Sequence, residues 1–450
     1  MRRALRENAP CALAALAGSA LLAWLGLKSF LWSDYELELL PSVQALTHGD
    51  LHRFLALAPV YGGSLIERSP AILLPGLWGG GQPAVYRALA APGLLACALL
   101  AVLLVAGMRR AGASRLAKGT VVALCVCNPV SLIALEYGHS EELLGGALCI
   151  FAVLLAARPG LRRRGALLAG LALGLAIADK QWAIVAAPAV LLALPAGLRR
   201  WCLLAAALSA GCVLAPLLLA GSGGFTTATV NVAGGAATTL FEPWQVWWFL
   251  GHHGLVPNPA GALRVGYRIG PAWVERYSRD LVVAGAGAIG AAAWAGLSRG
   301  RAARSSGRLD AQGALCALCL LLLARCLLDT WDALYYPLPF LLALTAWEST
   351  RQPLRPPLLA LIAGALVWLF VEVLHSRLSG DAQSALFLAW SVPLAVWLAW
   401  RLGAYVRAAA TAQSPQATTV SSLGRPVRTS RPSGRTTTRS SMRTPSVSGR

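Results

Sequence analysis

The chain has 450 residues, a formal net charge of +20, 57% hydrophobic residues and only 13% charged residues. A soluble domain is typically about a quarter charged, so this composition excludes a soluble enzyme. The apolar residues fall in blocks close to the roughly 20 residues that a helix needs to cross a bilayer core, which predicts a polytopic membrane protein.

The apolar blocks predict an all-α transmembrane bundle of about twelve spans. Arginine clusters follow every second block, and positively charged loops stay in the cytoplasm, so both termini are predicted to be cytoplasmic. The predicted spans are 10–30, 88–108, 117–135, 141–157, 164–179, 182–197, 200–220, 281–297, 312–328, 333–348, 357–374 and 385–402.

Two outer segments are long, at about 31–87 and 221–280, and are rich in Trp, Tyr and Gly. Long loops of this kind are usually functional or disordered, and the aromatic content favours folded structure at the membrane surface. Residues 71–78 are apolar but too short to span, so an interfacial or re-entrant piece is predicted. The short fifth and sixth spans predict a helical hairpin whose polar tip, Asp179-Lys180-Gln181, reaches the outer face.

Residues 1–405 are predicted to form the membrane domain, and 406–450 a disordered, basic cytoplasmic tail. From about residue 411 the tail is rich in Ser, Thr and Pro, and it contains seven arginines and no acidic residue. Such a segment cannot bury a core and is attracted to anionic membrane lipid. No nucleic-acid partner is expected, because no aromatic interleaving accompanies the charge.

The acidic residues are distributed unevenly across the predicted topology. Sixteen of the 19 lie on the outer side, and only Glu7, Asp310 and Glu348 lie inside. The positive-inside rule accounts for arginines but hardly concerns acids. The outer carboxylates therefore predict an outward-facing polar site.

Three further patterns are interpreted as ordinary membrane-helix features. Gly285-x-Gly287-x-x-Gly290 and Gly170-x-x-x-Gly174 are predicted to pack helices, since neither follows a strand. All ten cysteines lie in or beside apolar blocks, so no disulfide framework is expected.

The first candidate site residues, Asp34 and Glu36, follow the first helix. A carboxylate at the outer mouth of a helix can serve as a general base for a hydroxyl acceptor. The alternative interpretation is that these carboxylates simply lie at a solvated helix end. His139, Glu141 and Glu142 form a second cluster, interpreted as substrate contacts or a polar network, with metal ligation or a plain loop as alternatives.

The remaining candidate substrate-binding residues lie beside later spans. Lys180 and Trp182 suit a phosphate or a sugar ring, with snorkelling of the lysine to the interface as the alternative. Arg325 lies within a predicted span, which makes it a functional candidate, although it can also pair with Asp329 one helical turn on. Asp332 and Tyr335 complete the set.

In its order of motifs the chain resembles the GT-C class of integral-membrane glycosyltransferases, and more closely the polyprenyl-phosphate-sugar-dependent glycosyltransferase family 87. The resemblance covers residues 1 to about 405, and the chain departs from it in lacking Asp-x-Asp in the first loop. The matching motifs are Ser33-Asp34-Tyr35-Glu36, His48-Gly49-Asp50-Leu51, Tyr61-Gly62-Gly63-Ser64, Asn128-Pro129, Tyr137-Gly138-His139-Ser140-Glu141-Glu142, Ala169-Gly170-Leu171-Ala172-Leu173-Gly174-Leu175-Ala176 running into Lys180, Pro243-Trp244-Gln245-Val246-Trp247-Trp248, and Asp329-Thr330-Trp331-Asp332 with Tyr335-Tyr336.

The resemblance implies a multi-pass cell-membrane enzyme with its active site facing outside. It would transfer a sugar, mannose or alternatively a pentose such as arabinose, from a polyprenyl-phosphate donor to a glycan or glycolipid hydroxyl with inversion. Asp34, Glu36 or Glu38 would be the base. No cofactor is expected. A requirement for a divalent metal ion is left open, because the sequence shows no recognisable set of metal ligands.

Two other functions remain alternatives. A secondary transporter shares the predicted topology, but the chain has no 6+6 repeat and its long outer loops are unusual for that class. The second alternative function is that of a lipid-binding membrane protein without catalytic activity.

Overall fold

The computed structural model describes residues 2–26, 34–73, 81–223, 242–257, 263–299 and 307–411. Within these ranges the chain is almost entirely helical, as the all-α prediction requires, apart from one two-stranded antiparallel hairpin. The helices are α1 (Arg2–Gly26), α2 (Leu40–Thr47), α3 (Leu51–Ala56), α4 (Gly62–Arg68), α5 (Gln82–Arg110), α6 (Arg115–Val126), α7 (Pro129–Tyr137), α8 (Glu141–Ala156), α9 (Arg163–Asp179), α10 (Ala187–Ala193), α11 (Ala196–Leu219), α12 (Ala272–Ser298), α13 (Ala311–Leu328), α14 (Leu338–Arg351), α15 (Leu358–Leu369) and α16 (Gly380–Thr411), and the strands are β1 (His252–Pro257) and β2 (Leu263–Ile269).

Six helical segments in the described ranges are long and apolar enough to cross a bilayer, which identifies a helical membrane protein. They are α5, α6 continued by α7, α11, α12, α13 and α16. The other predicted spans also contain helix, but these helices are shorter or less apolar, and residues 333–337 of the tenth predicted span precede α14.

The third predicted span is interrupted where the sequence carries Asn128-Pro129. The Asn128 side chain accepts a hydrogen bond from Val130 N at 3.0 Å, and proline occupies the first position of α7. Gly138 ends α7 with φ of 96°, a left-handed conformation that glycine adopts without strain. This break places His139 between the end of α7 and the start of α8.

The glycine pattern on α9 packs this helix closely against α11, as predicted. A Cβ on Gly170 would lie 2.1 Å from the Cys202 carbonyl oxygen, and one on Gly174 would lie 2.3 Å from that of Ala206. Gly285-x-Gly287-x-x-Gly290 lies in the middle of helix α12 and not at the turn between β2 and this helix, and Gly290 packs against Pro188.

The described part of the first long segment is folded, in agreement with the aromatic content that favoured structure. Helices α2 to α4 surround a small apolar core that includes Tyr35, Leu39, Phe54 and Leu65. Helix α5 begins at Gln82, earlier than the predicted span. Residues 71–73 of the predicted interfacial piece form the end of a 3₁₀ turn, and its remainder lies outside the described residues.

In the second long segment, β1 and β2 are fastened to the start of α16. Arg268 binds both carboxylate oxygens of Asp381 at 2.8 Å, and Trp248 Nε1 donates to the same carboxylate at 2.8 Å. Helix α12 begins at Ala272, earlier than its predicted span.

The described helices belong to one compact unit, Met1–Ser414. Helix α16 continues to Thr411, beyond the predicted domain boundary at 405. The rest of the predicted tail lies outside the described residues. All ten cysteines are free thiols.

Candidate functional site

A buried histidine lies between two carboxylates at one end of the helical bundle. His139 Nε2 lies 2.9 Å from Asp34 Oδ2, and Nδ1 lies 2.5 Å from Glu141 Oε1. Burial alone would lower the pKa of His139, but Glu141 and the hydrogen bonds to both carboxylates raise it above its ordinary value. The pair of carboxylates therefore stabilises the imidazolium, in which both ring nitrogens donate.

The two glutamates at the start of α8 hold a lysine. Lys180 Nζ lies 3.2 Å from Glu141 Oε1 and 3.0 Å from Glu142 Oε1, and both glutamate side chains are fully buried. Carboxylates are favourable at a helix N-terminus because the helix dipole is positive there. Burial lowers the pKa of Lys180, but Glu142 and Glu141 outweigh it and raise the pKa, so the lysine stays charged.

Arg325 completes this cluster from the end of α13. Its Nη2 lies 3.5 Å from Glu142 Oε1, and its guanidinium lies over the rings of Trp182 at 4.5 Å and Tyr336 at 4.1 Å. Arg325 therefore forms its ion pair with Glu142 and not with Asp329, which was the alternative partner suggested by the sequence. Asp329 instead accepts a hydrogen bond from Trp331 N at 3.0 Å, which stabilises the turn after α13.

Sequence reasoning missed a buried arginine on α4. Arg68 is fully buried, lies 3.4 Å from Glu141 Oε2 and donates to the Ser140 hydroxyl. One turn earlier on the same helix, Ser64 Oγ donates to Asp179 Oδ1 at 2.5 Å. Gly63 lets α4 approach α9, because a Cβ there would lie 2.0 Å from the Ala178 carbonyl oxygen. The signal available in the sequence was Gly62-Gly63-Ser64 followed by Glu67-Arg68, a charged end on a short helix.

The three candidate bases after α1 have different surroundings. Asp34 contacts the cluster through His139 and has a side chain that is 30% exposed, whereas Glu141 has none of its side chain exposed. Glu36 is exposed on the π-helical turn Tyr35–Leu39. Glu38 accepts a hydrogen bond from the Tyr61 hydroxyl, and burial raises its pKa. Asp34 is therefore the carboxylate that is both tied to the cluster and partly exposed.

Aromatic rings surround the lysine. The rings of Tyr61, Tyr335 and Tyr336 have their centroids 5.1, 5.5 and 5.9 Å from Lys180 Nζ. Tyr335 also stacks on His139, with ring centroids 4.3 Å apart. These rings form apolar walls beside the charged groups, an arrangement that suits the faces of a sugar ring.

Asp332 lies in the loop that leads to Tyr335, and it is completely buried. Neither of its carboxylate oxygens has a hydrogen-bond partner among the described residues, and burial raises its pKa well above the usual range. Gln245 is held against the same loop by a 3.1 Å bond from Nε2 to the Thr330 carbonyl oxygen, and its Oε1 lacks a partner in the described chain.

The structure thus brings together most of the predicted site residues. Asp34, His139, Glu141, Glu142, Lys180, Trp182, Arg325 and Tyr335 form one connected cluster. Asp332 is buried next to it, Asp329 has a role in a turn, and Glu36 is exposed. Among the described residues, no group of three His, Cys, Asp or Glu side chains is arranged to hold a metal ion.

The chain matches no protein-family model, no curated protein and no solved structure.

Proposed function

We propose that the chain is an inverting membrane glycosyltransferase that moves a sugar from a polyprenyl-phosphate donor to a hydroxyl of a glycan or glycolipid. The observation that carries this proposal is the linked series Asp34, His139 and Glu141, which lies beside Lys180. It offers a partly exposed carboxylate held in place by the buried His139 ring, and a cation close by.

In the proposed reaction Asp34 takes the proton of the acceptor hydroxyl while the acceptor oxygen attacks the anomeric carbon. The bond between that carbon and the phosphate oxygen breaks, and polyprenyl phosphate leaves with the bonding electrons. The hydrogen bond from His139 orients the Asp34 carboxylate toward the acceptor.

Lys180 is assigned to the phosphate of the donor. Two of its three N–H donors face Glu141 and Glu142 in the described chain, which leaves one for an anion, and 12% of its side chain is exposed. Arg325 is 2% exposed and Arg68 is fully buried, so these two arginines hold the glutamates in position.

The sugar is assigned to the faces of the tyrosine rings beside Lys180. Mannose is proposed from the family resemblance alone, with arabinose as the alternative pentose.

We also propose that the bundle crosses the cell membrane about twelve times with both termini in the cytoplasm, and that the site faces outside. The contacts that assemble the site involve the start of α8 and the ends of α9 and α13. Contacts at the other end of these helices join Arg308 to Arg158 and Arg163 to Trp201. An arginine-rich end opposite an acidic end is what the positive-inside rule leads us to expect of this orientation.

The general base is tested by comparing two matched variants of the purified protein. Asp34→Asn keeps size and hydrogen bonding but removes basicity, so turnover of polyprenyl-phosphate mannose with an alkyl mannoside acceptor should fall by a factor on the order of 100 to 10,000. Glu36→Gln should retain near-normal turnover, because Glu36 is exposed outside the cluster. Loss of turnover in Glu36→Gln together with normal turnover in Asp34→Asn would reassign the base.

A further inference from the structure

Seven arginines gather at the end of the bundle that lies opposite the site. Their convergence is fixed by three bonds: Arg308 Nη1 to the Arg158 carbonyl oxygen at 3.5 Å, Leu309 N to Leu192 O at 2.8 Å, and Arg199 Nε to Leu191 O at 3.0 Å. We name this surface the arginine patch, and its members are Arg158, Arg162, Arg163, Arg164, Arg199, Arg200 and Arg308.

Within the described residues the arginine patch has almost no compensating negative charge. None of its members forms an ion pair with a carboxylate of the described chain. The nearby Asp310 is already engaged, because its Oδ1 caps α13 by accepting from Gly313 N at 2.8 Å. Seven close positive charges repel one another, so an anion bound among them would stabilise this surface.

Tryptophan rings hold three of the guanidinium groups. Arg163 lies 3.4 Å and Arg200 lies 5.2 Å from the ring centroid of Trp201, and Arg199 lies 3.8 Å from that of Trp294. A guanidinium stacked on a ring keeps its N–H donors directed from its edge, in the fork that matches two oxygens of a phosphate. These three guanidinium groups are therefore positioned before any ligand binds.

The position of the patch favours a membrane lipid over a free anion. Helices α8 and α9 have 16 and 17 residues, so their two ends lie ~25 Å apart, close to the ~30 Å of a hydrocarbon core. Directly beyond Trp201, helix α11 exposes Leu203, Leu204 and Leu208. A phosphate bound by the arginines would have apolar surface beside it for attached acyl chains.

We propose that the arginine patch binds the phosphodiester headgroup of an anionic phospholipid, with the acyl chains lying along the exposed leucines of α11. This site is separate from the one proposed for sugar transfer and does not depend on that reaction. Binding stabilises the folded protein because the lipid occupies only the folded surface.

The test measures thermal unfolding of the full chain in a neutral detergent with added phosphatidylglycerol or phosphatidylcholine. Phosphatidylglycerol should raise the unfolding temperature in a saturable way that high salt weakens, and phosphatidylcholine should not. In the variant Arg163→Gln/Arg200→Gln, the apparent affinity for phosphatidylglycerol should fall at least about tenfold. The control Arg276→Gln/Arg279→Gln, which removes two exposed arginines from the other end of α12, should keep the wild-type affinity.

Three results would overturn the proposal. An equal loss of affinity in the control would show that net charge alone attracts the lipid. An equal rise in unfolding temperature with inorganic phosphate at the same concentration would show that the acyl chains contribute nothing, and an equal rise with phosphatidylcholine would remove the role of charge. If the glutamine pair does not fold, Arg163→Lys/Arg200→Lys keeps the charge but loses the planar fork, and it should still weaken the lipid affinity.

Discussion

His139 derives its charge from the two carboxylates on either side of it, so its contribution to stability depends on pH. The carboxylates raise its pKa in the folded protein above the ordinary value of 6.5. The stabilising contribution is then fully present below about pH 6.5, and it is lost as the pH rises through the folded-state pKa. The difference in unfolding temperature between the wild type and His139→Gln should therefore be largest at acid pH.

The measurement is the difference in unfolding temperature between these two proteins across pH 5 to 10. Subtracting the variant removes the titration of the groups that both proteins share. A difference that stays constant across this range would contradict a charged His139 between Asp34 and Glu141.

Lys180 and Arg325 are both cations of the site, but their burial predicts different effects. Lys180→Gln should raise the KM for the polyprenyl-phosphate donor about tenfold or more, which corresponds to roughly 1.4 kcal/mol. Glu141 and Glu142 keep Arg68 and Arg325 as partners in this variant, so its fold should persist. The KM for the acceptor should change little.

Arg325→Gln should act mainly on stability. It removes a buried partner of Glu142 and the contacts with Trp182 and Tyr336, which costs about 2 kcal/mol or more. Steady-state kinetics and thermal unfolding of the two variants separate the roles. An unchanged donor KM in Lys180→Gln would contradict the assignment of the phosphate to this lysine.

At the level of single residues, the sequence was informative where a charge interrupts an apolar stretch. Lys180 and Arg325 stand out in this way, and His139 lies in a charged group between two apolar blocks. Arg68 was missed because its partner Glu141 lies 73 residues away, and no local spacing links the two. The choice of Asp34 over Glu36 also needed the structure, because only the fold shows which carboxylate meets His139.

At the level of helices, the close packing of α9 on α11 gives a direct prediction. A Cβ on Gly174 would lie 2.0 Å from Ser209 Oγ, so Gly174→Ala must push the helices apart and should destabilise the protein by about 1 to 3 kcal/mol. Gly211→Ala on α11 is the matched control, because no atom lies within 4 Å of its Cβ position. The control should be neutral or slightly stabilising, since alanine favours helix.

Thermal unfolding of the two variants tests this packing. Equal unfolding temperatures for Gly174→Ala and Gly211→Ala would show that the two helices do not approach as closely as the structure places them.

The positions of the helices could be predicted from apolar blocks, but their ends and breaks could not. Hydropathy does not distinguish a continuous helix from α6 and α7, which are separated at Asn128-Pro129 by capping and proline chemistry. The early starts of α5 and α12 were missed because their first turns are amphipathic and lie in segments that read as loops. The β1/β2 hairpin had no clear alternation in sequence, and Asp381 on a distant helix holds it in place.

On the scale of the whole molecule, the site and the arginine patch lie at opposite ends of α8 and α9. The sequence predicted this polarity, because its arginine clusters follow every second predicted span. The site occupies the other end, where the start of α8 meets the ends of α9 and α13. Six helices with clear spanning character, together with the shorter helices between them, provide the framework for this polarity.

The central claim is that this site transfers a sugar from a lipid-linked donor, and its donor requirement is the most direct test. Proteoliposomes containing the wild-type protein, labelled polyprenyl-phosphate mannose and an alkyl mannoside acceptor should move the label to the acceptor without any added nucleotide, and should release polyprenyl phosphate. Transfer from GDP-mannose alone, in vesicles free of lipid-linked sugar, would contradict both the donor and the outward-facing site.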